Sequence, residues 1–255
     1  MRIMYRNYWD DYALAESEED ATYPVENTQD IRLVKVYHSA TVGTIVKLDL
    51  DAGTGEAITC DCCAIINHNL SGSSETSIQA CDSYLSDNDF ETGSVNSVIT
   101  HRSGPMVVFF ESGSHRWWRF KIEDTVASNS DGYVKIGRLF LGTYIQVDPS
   151  SLVEFPVKHV RNDQVMFSKS NQLYADEGVG WKELHYKFPR STNSMKGSVE
   201  TMFGSCGKFK PILVMNYDTT FTIIDPLYCS VTEDITFKHM KNDKWEYDLV
   251  LRECN

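Results

Sequence analysis

The sequence predicts an all-β fold: two β-sandwich or jelly-roll-like domains, with one short helix in the second. Three observations predict it. Period-two alternation of apolar and polar residues recurs along the chain, as in strands with one buried and one wet face. Polar turn clusters separate these runs at short spacing. Helix signals are scarce, and the best is Met195 to Phe203.

In order, Val34–Tyr37 and Thr44–Leu50 alternate, and Ala64–Ile66 is a short apolar run suited to a central strand. Ser77–Cys81 follows, then a polar loop from Asp82 to Gly93. Met106–Phe110 and Trp117–Ile122 are the next strands. From Tyr133 to Leu141, Val134, Ile136, Arg138 and Phe140 are expected on one side, and Lys135 and Leu139 on the other. The turn Asn129-Ser130-Asp131-Gly132 supplies residues that tolerate positive φ. Asp148-Pro149-Ser150-Ser151 reads as a domain boundary.

Beyond that boundary Trp181–Phe188 alternates strongly. The helix follows, with Val199, Met202 and Phe203 on one face, Thr192 or Asn193 as its cap, and Gly204 as its stop. Pro211–Met215, Phe221–Asp225 and Tyr228–Thr232 add strands. Ile235–His239 and Trp245–Arg252 read as a closing hairpin around Lys241-Asn242-Asp243. The expected organisation is an N-terminal arm (1–15), a first β domain (16–147) and a second (148–255).

The bulk numbers narrow the function classes. At 42% hydrophobic over 255 residues the chain can bury a core. A net charge of −12, from 36 acidic and 24 basic residues, argues against a grip on nucleic acid, which needs Lys and Arg to displace phosphate counterions. Asp10, Asp11, Glu16, Glu18, Glu19 and Asp20 crowd the first 20 residues and read as a solvated segment or as a docking strip for a basic partner. No apolar run reaches the ~18 residues of a membrane span. The first ten residues lack a signal-peptide core, so use without secretory export is expected. The seven cysteines are an odd number in a chain too large to need a disulfide framework, so reduced thiols are expected.

Several segments, taken in order, resemble the discoidin-type, galactose-binding-like β-sandwich found in tail proteins of bacteriophages. They are Tyr23-Pro24-Val25-Glu26-Asn27 with Arg32 and Val36-Tyr37-His38-Ser39, then Ile45 to Leu50, Ala64 to Leu70, Ser77 to Asp82, Trp118 to Asp124 and Asp131 to Gly142. The resemblance spans roughly residues 16 to 145. The second half is similar in style to β domains that follow such modules. The chain departs from the pattern where Tyr37-His38 stands in place of a Trp before the Ser of the opening segment. It departs again in the acidic loop from Asp82 to Gly93, which puts inherited sugar or anionic-lipid binding in doubt.

Candidate chemistry is sparse. Cys60 and Cys63 have zinc-ligand spacing, but Cys60-Asp61-Cys62-Cys63 leads into an apolar run, where strand geometry turns neighbours to opposite faces. Core thiols are the expectation there. Asp87, Asp89 and Glu91 offer oxygen ligands for calcium without the EF-hand pattern, and a solvated loop is the expectation. His68 reads as a turn histidine bonding to backbone. No nucleophile elbow, phosphate-binding glycine loop or zinc-protease motif is present. No catalytic residue and no cofactor are therefore expected.

Large aromatics are enriched at interfaces. Trp9, Tyr12, Trp117, Trp118 and Trp181 are accordingly the interface candidates, with the N-terminal aromatics docking on a neighbouring subunit. The resemblance implies a structural protein of a tailed-phage virion, made in the host cytoplasm and placed in the tail or tail tip. It would act by subunit assembly with other tail proteins, as a homo-oligomer, and by attachment of fibres. The alternative is a non-enzymatic module on the virion that binds a receptor or a host-surface glycan. Neither reading includes membrane insertion.

Overall fold

The structure is a computed structural model and describes residues 1–17, 19–147, 156–167, 173–217 and 223–254. It divides into two compact units, Met1–Gln146 with Leu213–Leu227, and Val147–Ile212 with Tyr228–Asn255. The second domain expected as 148–255 is therefore not continuous, because 213–227 belongs to the first unit. The boundary Asp148–Ser151, with Phe221 and Thr222 of an expected strand, lies outside the described residues.

The first unit contains β1 (Arg2–Asn7), β2 (Ala13–Glu16), β3 (Tyr37–His38), β4 (Ile45–Asp51), β5 (Ile58–His68), β6 (Glu75–Cys81), β7 (Val95–Val98), β8 (Met106–His115), β9 (Trp117–Glu123) and β10 (Lys135–Gln146). A short helix, α1 (Asp87–Glu91), lies between β6 and β7, inside the expected loop. One sheet runs β1–β10–β5–β8, with β3 also on β10; the other runs β2–β4–β9–β6–β7. Their facing sides share one core. Val46, Leu48, Leu50, Ile78, Trp118, Phe120 and Ile122 come from the second sheet, and Cys63, Ile65, Met106, Leu139 and Leu141 from the first. This is the all-β sandwich that the alternation predicts.

Two details correct the sequence reading. Residues 1–15 are no free arm. β1 pairs with β10 along one edge, and its other edge pairs with Leu213–Met215. The chain then crosses to the second sheet, where β2 forms an edge on β4. Within β10, Leu139 joins Val134 and Ile136 in the core instead of opposing them. The core-facing positions shift by one residue between Ile136 and Leu139, near Asn67 of the facing strand, whose φ is 54°.

The second unit contains β11 (Val157–Arg161), β12 (Gln164–Phe167), β13 (Leu173–Asp176), β14 (Gly180–Ser191) and α2 (Asn193–Cys206). β15 (Ile212–Tyr217) belongs to the first unit from Leu213 onward, and β16 (Ile223–Val231) enters the second unit at Tyr228; that unit ends with β17 (Lys238–Met240) and β18 (Lys244–Glu253). β14 pairs with β11 and β18, and the end of β16 pairs with β18. Alternation in β14 buries Leu184, Tyr186 and Phe188, and Phe188 stacks on Tyr247 at 4.7 Å. The closing hairpin forms as expected: Met240 pairs with Lys244 across Lys241, Asn242 and Asp243, the last two at positive φ of 62° and 52°. Thr192 caps α2 by accepting the Met195 N–H. The helix runs through Gly204 and stops at Gly207, whose positive φ of 55° favours glycine.

Candidate functional site: an aromatic stack at one end of the sandwich

Strand register fixes which loops of the first unit lie together. Ile45 and Glu75 both pair with Glu123, whereas Asp51 and Cys81 both pair with Trp117. On the other sheet, Met106 opposes Ile65 and His68 opposes Ile136, while β8 ends at His115, next to the start of β9. The loops 39–44, 69–74, 99–105 and 124–134 therefore gather at one end of the sandwich. The loops 52–57 and 82–94 gather at the other.

At the first end three rings stack. Tyr23 lies 3.9 Å from His38, and His38 lies 4.3 Å from Tyr133. Tyr23 and Tyr133 are the ends of the stack, and Tyr23 is 38% exposed. Backbone bonds hold the rings in place. The His38 N–H donates to the Tyr23 carbonyl at 3.1 Å, and Ser39, just after β3, donates to the Val134 carbonyl at 2.9 Å. Burial, helped by Lys135, lowers the His38 pKa against the pull of Asp20 and Asp131.

An amide network braces Tyr133 from behind. Asn69 Nδ2 donates to Asp131 Oδ2 and to the Tyr133 carbonyl, both at 2.9 Å, and Asn69 Oδ1 accepts the Lys135 N–H at 2.7 Å. Below it lies Asp124, fully buried, accepting from the Ser71 N–H and hydroxyl, the Thr125 N–H and Asn129 Nδ2. Burial alone would raise its pKa; these hydrogen bonds, Ser71 foremost, outweigh it and hold the carboxyl below its usual range. His68 is the turn histidine expected. Its Nδ1 accepts the Leu70 N–H at 3.2 Å, which leaves Nε2–H to donate to the Gly104 carbonyl at 3.1 Å. The assembly presents an exposed ring end beside carboxylate, ammonium and amide groups. That combination can stack on a flat apolar face and hydrogen-bond hydroxyls at its rim.

The residues singled out in the sequence lie elsewhere. Trp9 is fully buried where the chain crosses between sheets, edge-on to Phe120 at 5.2 Å, with Nε1 donating to Thr28 Oγ1 at 2.9 Å. Trp118 is fully buried in the same core. Neither has surface to offer a neighbour, because each ring is already enclosed by its own chain. Tyr12 is half-buried against that core. Trp117 is on the outer face, under Tyr84 at 5.4 Å and the Arg116 guanidinium at 4.9 Å. Trp181, in the second unit, carries the Arg252 guanidinium over its ring at 4.0 Å and donates to Glu183.

The calcium candidates are already engaged. Asp87 accepts from Lys47 Nζ at 2.5 Å and Arg119 Nη1 at 2.7 Å, and these two cations lower its pKa to about 2. Asp89 Oδ2 accepts the Leu85 and Ser86 N–H groups at 2.7 and 2.8 Å, capping α1. Glu91 pairs with Lys121 at 2.5 Å. Their oxygens bind protein donors, so ion pairs and a helix cap tie down a segment expected as a solvated loop. Cys60, Cys62 and Cys63 are buried in β5, where burial pushes their thiol pKa values up. All three rings of the stack, Tyr23, His38 and Tyr133, fall in segments that carry the fold resemblance. Nothing in their spacing announces that the fold stacks them.

No family model and no curated protein matches the chain. Among solved structures the chain is similar to the family 32 carbohydrate-binding module of NanJ from C. perfringens in complex with galactose. That match has 13% identity and a TM-score of 0.42, and covers 57% of this chain and all (100%) of that one. It is similar to a chitosan-binding module of a Paenibacillus chitosanase/glucanase, at 13% identity and TM-score 0.41, covering 53% and 98%. A fucose-binding module of Streptococcus pneumoniae matches at 11% identity and TM-score 0.40, covering 54% and 94%.

Proposed function

We propose that the first unit carries a glycan-binding site, with the Tyr23–His38–Tyr133 stack as its platform, and that this end of the sandwich acts by binding rather than turnover. The observation that carries this reading is the stack itself. Its end ring, Tyr23, is exposed, its geometry is set by backbone and amide bonds rather than by a ligand, and polar groups rim it. A sugar offers what such a surface takes: a C–H face for the ring and hydroxyls for the rim. The setting suggested by the sequence resemblance is the tail of a tailed phage, where the glycan would belong to the host surface and neighbouring tail proteins would supply attachment. Assembly into a homo-oligomer remains part of that setting, with Tyr12, Trp117 and Trp181 as its remaining aromatic anchors.

A glycan array probed with the full chain, followed by calorimetric titration of the best ligands, tests the reading. Tyr23→Ala is expected to weaken the winning glycan about tenfold, or 1.4 kcal/mol, with the fold retained by circular dichroism. An empty array, or equal affinity in Tyr23→Ala and Tyr133→Ala, would overturn it.

A further inference from the structure

The opposite end of the same sandwich holds a hydrogen-bonded row that the sequence never suggests. His115, the last residue of β8, has Nδ1 2.8 Å from Asp82 Oδ1 and Nε2 2.8 Å from Ser94 Oγ. Asp82 follows β6 directly and Ser94 precedes β7 directly, so the ends of three strands fix the three groups. A carboxylate only accepts hydrogen bonds at neutral pH, so Nδ1 carries the imidazole proton and Nε2 offers its lone pair. The Ser94 hydroxyl is then the donor. Ser94 is exposed, while the His115 side chain keeps only 12% of its surface.

A second observation shows that the ring sits in a tailored place. A Cβ on Gly113 would lie 2.8 Å from His115 Nε2 and 3.1 Å from Cδ2. With any larger residue at position 113 the imidazole would have to shift. The Trp118 ring stands beside it at 5.7 Å, and Trp118 Nε1 donates to the His115 carbonyl at 3.1 Å. The ring is held on both nitrogens, at its backbone and on one side.

We propose that Ser94, His115 and Asp82 form a nucleophilic site that takes a small carboxylic ester. Ser94 Oγ is the nucleophile, His115 the general base, and Asp82 a positioning residue that sets the tautomer. Oγ attacks the ester carbonyl and its proton passes to Nε2. The acyl–oxygen bond breaks, and the alcohol leaves with that proton. Water then attacks the Ser94 ester, giving its proton to Nε2, and Oγ recovers a proton as the acid departs. The net reaction is ester plus water to acid plus alcohol. It makes no use of the ring stack at the other end.

General-base assistance alone is worth about 10²–10⁴-fold, so covalent capture is a cleaner first readout than turnover. The full chain is treated with a fluorophosphonate probe at neutral pH, and adducts are placed by peptide mass. In that reaction Oγ bonds to phosphorus, fluoride leaves, and the proton goes to Nε2. One adduct on Ser94 is expected, absent in Ser94→Ala and at least tenfold slower in His115→Gln. Gly113→Ala should slow it similarly by displacing the ring. In Asp82→Asn the pH profile of labelling should change, which a merely structural tie would not produce. No adduct on Ser94 above that on other serines of the wild-type chain would overturn the proposal. So would equal labelling in His115→Gln when circular dichroism shows the fold intact.

Discussion

The two ends of the first-unit sandwich are built from different interactions. At the ring-stack end, neutral donors set the geometry: Asn69 and Asn129 amides, the Ser71 hydroxyl and backbone N–H groups converge on Tyr133, Asp131 and Asp124. At the other end, charge does the holding. The segment 82–94 folds over the outer face of the second sheet. There Arg119, 2% exposed, grips Asp49 through Nε and Nη2 at 2.7 Å each, reaches Asp87 through Nη1, and lies over Phe90 at 4.0 Å. Lys47–Asp87 and Lys121–Glu91 pin the same segment. Amides can brace a surface that stays open to a ligand. An ion-pair network closes a loop down onto its sheet, and in doing so brings Asp82 and Ser94 to His115.

The largest expected effect tests the charged end. Arg119→Met leaves Asp49, 7% exposed, without its bidentate partner. Stranding one member of a buried pair costs about 3–5 kcal/mol. The double variant Arg119→Met/Asp49→Leu should recover most of that loss, because no charge is then left buried. Urea unfolding followed by tryptophan fluorescence reads both. If the single variant loses under about 1 kcal/mol, ion pairing is not what holds this end, and the contrast between the ends collapses.

A smaller loss is expected at the amide end. Asn69→Ala removes the bonds to Asp131, to the Tyr133 carbonyl and from the Lys135 N–H, at about 1–3 kcal/mol. The same variant should weaken glycan binding while Tyr23 stays intact, since Tyr133 loses its brace. Full affinity in Asn69→Ala would separate the stack from its network and leave Tyr23 to act alone.

The contrast also explains what the sequence discloses. β4, β9 and β14 are legible because each has one wet and one buried face, so alternation marks both the strand and its orientation. β1 is not, because its partners lie near residues 142–146 and 213–215, and no local pattern encodes so distant a pairing. Read locally, its aromatics and the acids after it look like an arm that needs a neighbour; in the fold, Trp9 finds Phe120 in its own chain. Asp87 and Glu91 look solvated for the same reason: the cations that neutralise them, Lys47, Arg119 and Lys121, sit on strands far away in sequence. Asp82, Ser94 and His115 form no motif at all, since the ends of three different strands bring them together. Both candidate sites are products of topology, and alternation reports strands without reporting which strands meet.

Acidification should separate the ends in sequence, and this is the finest test of the comparison. Burial lowers the His38 pKa, so the folded chain binds that proton less readily than the unfolded chain does. Its contribution is complete above the ordinary histidine value of about 6.5 and is lost as pH falls through that value, because the unfolded state takes up the proton first. Asp87 runs lower: its pKa is depressed to about 2 by Lys47 and Arg119. What it contributes is complete above the ordinary Asp value of about 3.9 and drains away only as pH falls from there toward 2. Hydrogen exchange measured by mass spectrometry, corrected for the intrinsic pH dependence of exchange, follows peptides from 20–38 and 82–94 side by side. Protection in the first should begin to fall as pH drops below about 6.5, while the second stays protected until below about pH 4. Simultaneous loss would mean that the sandwich opens as one cooperative unit, with its ends tied through the shared core more tightly than either is tied to its own network. The reverse order would show that the loop over the second sheet is held by something other than its carboxylates.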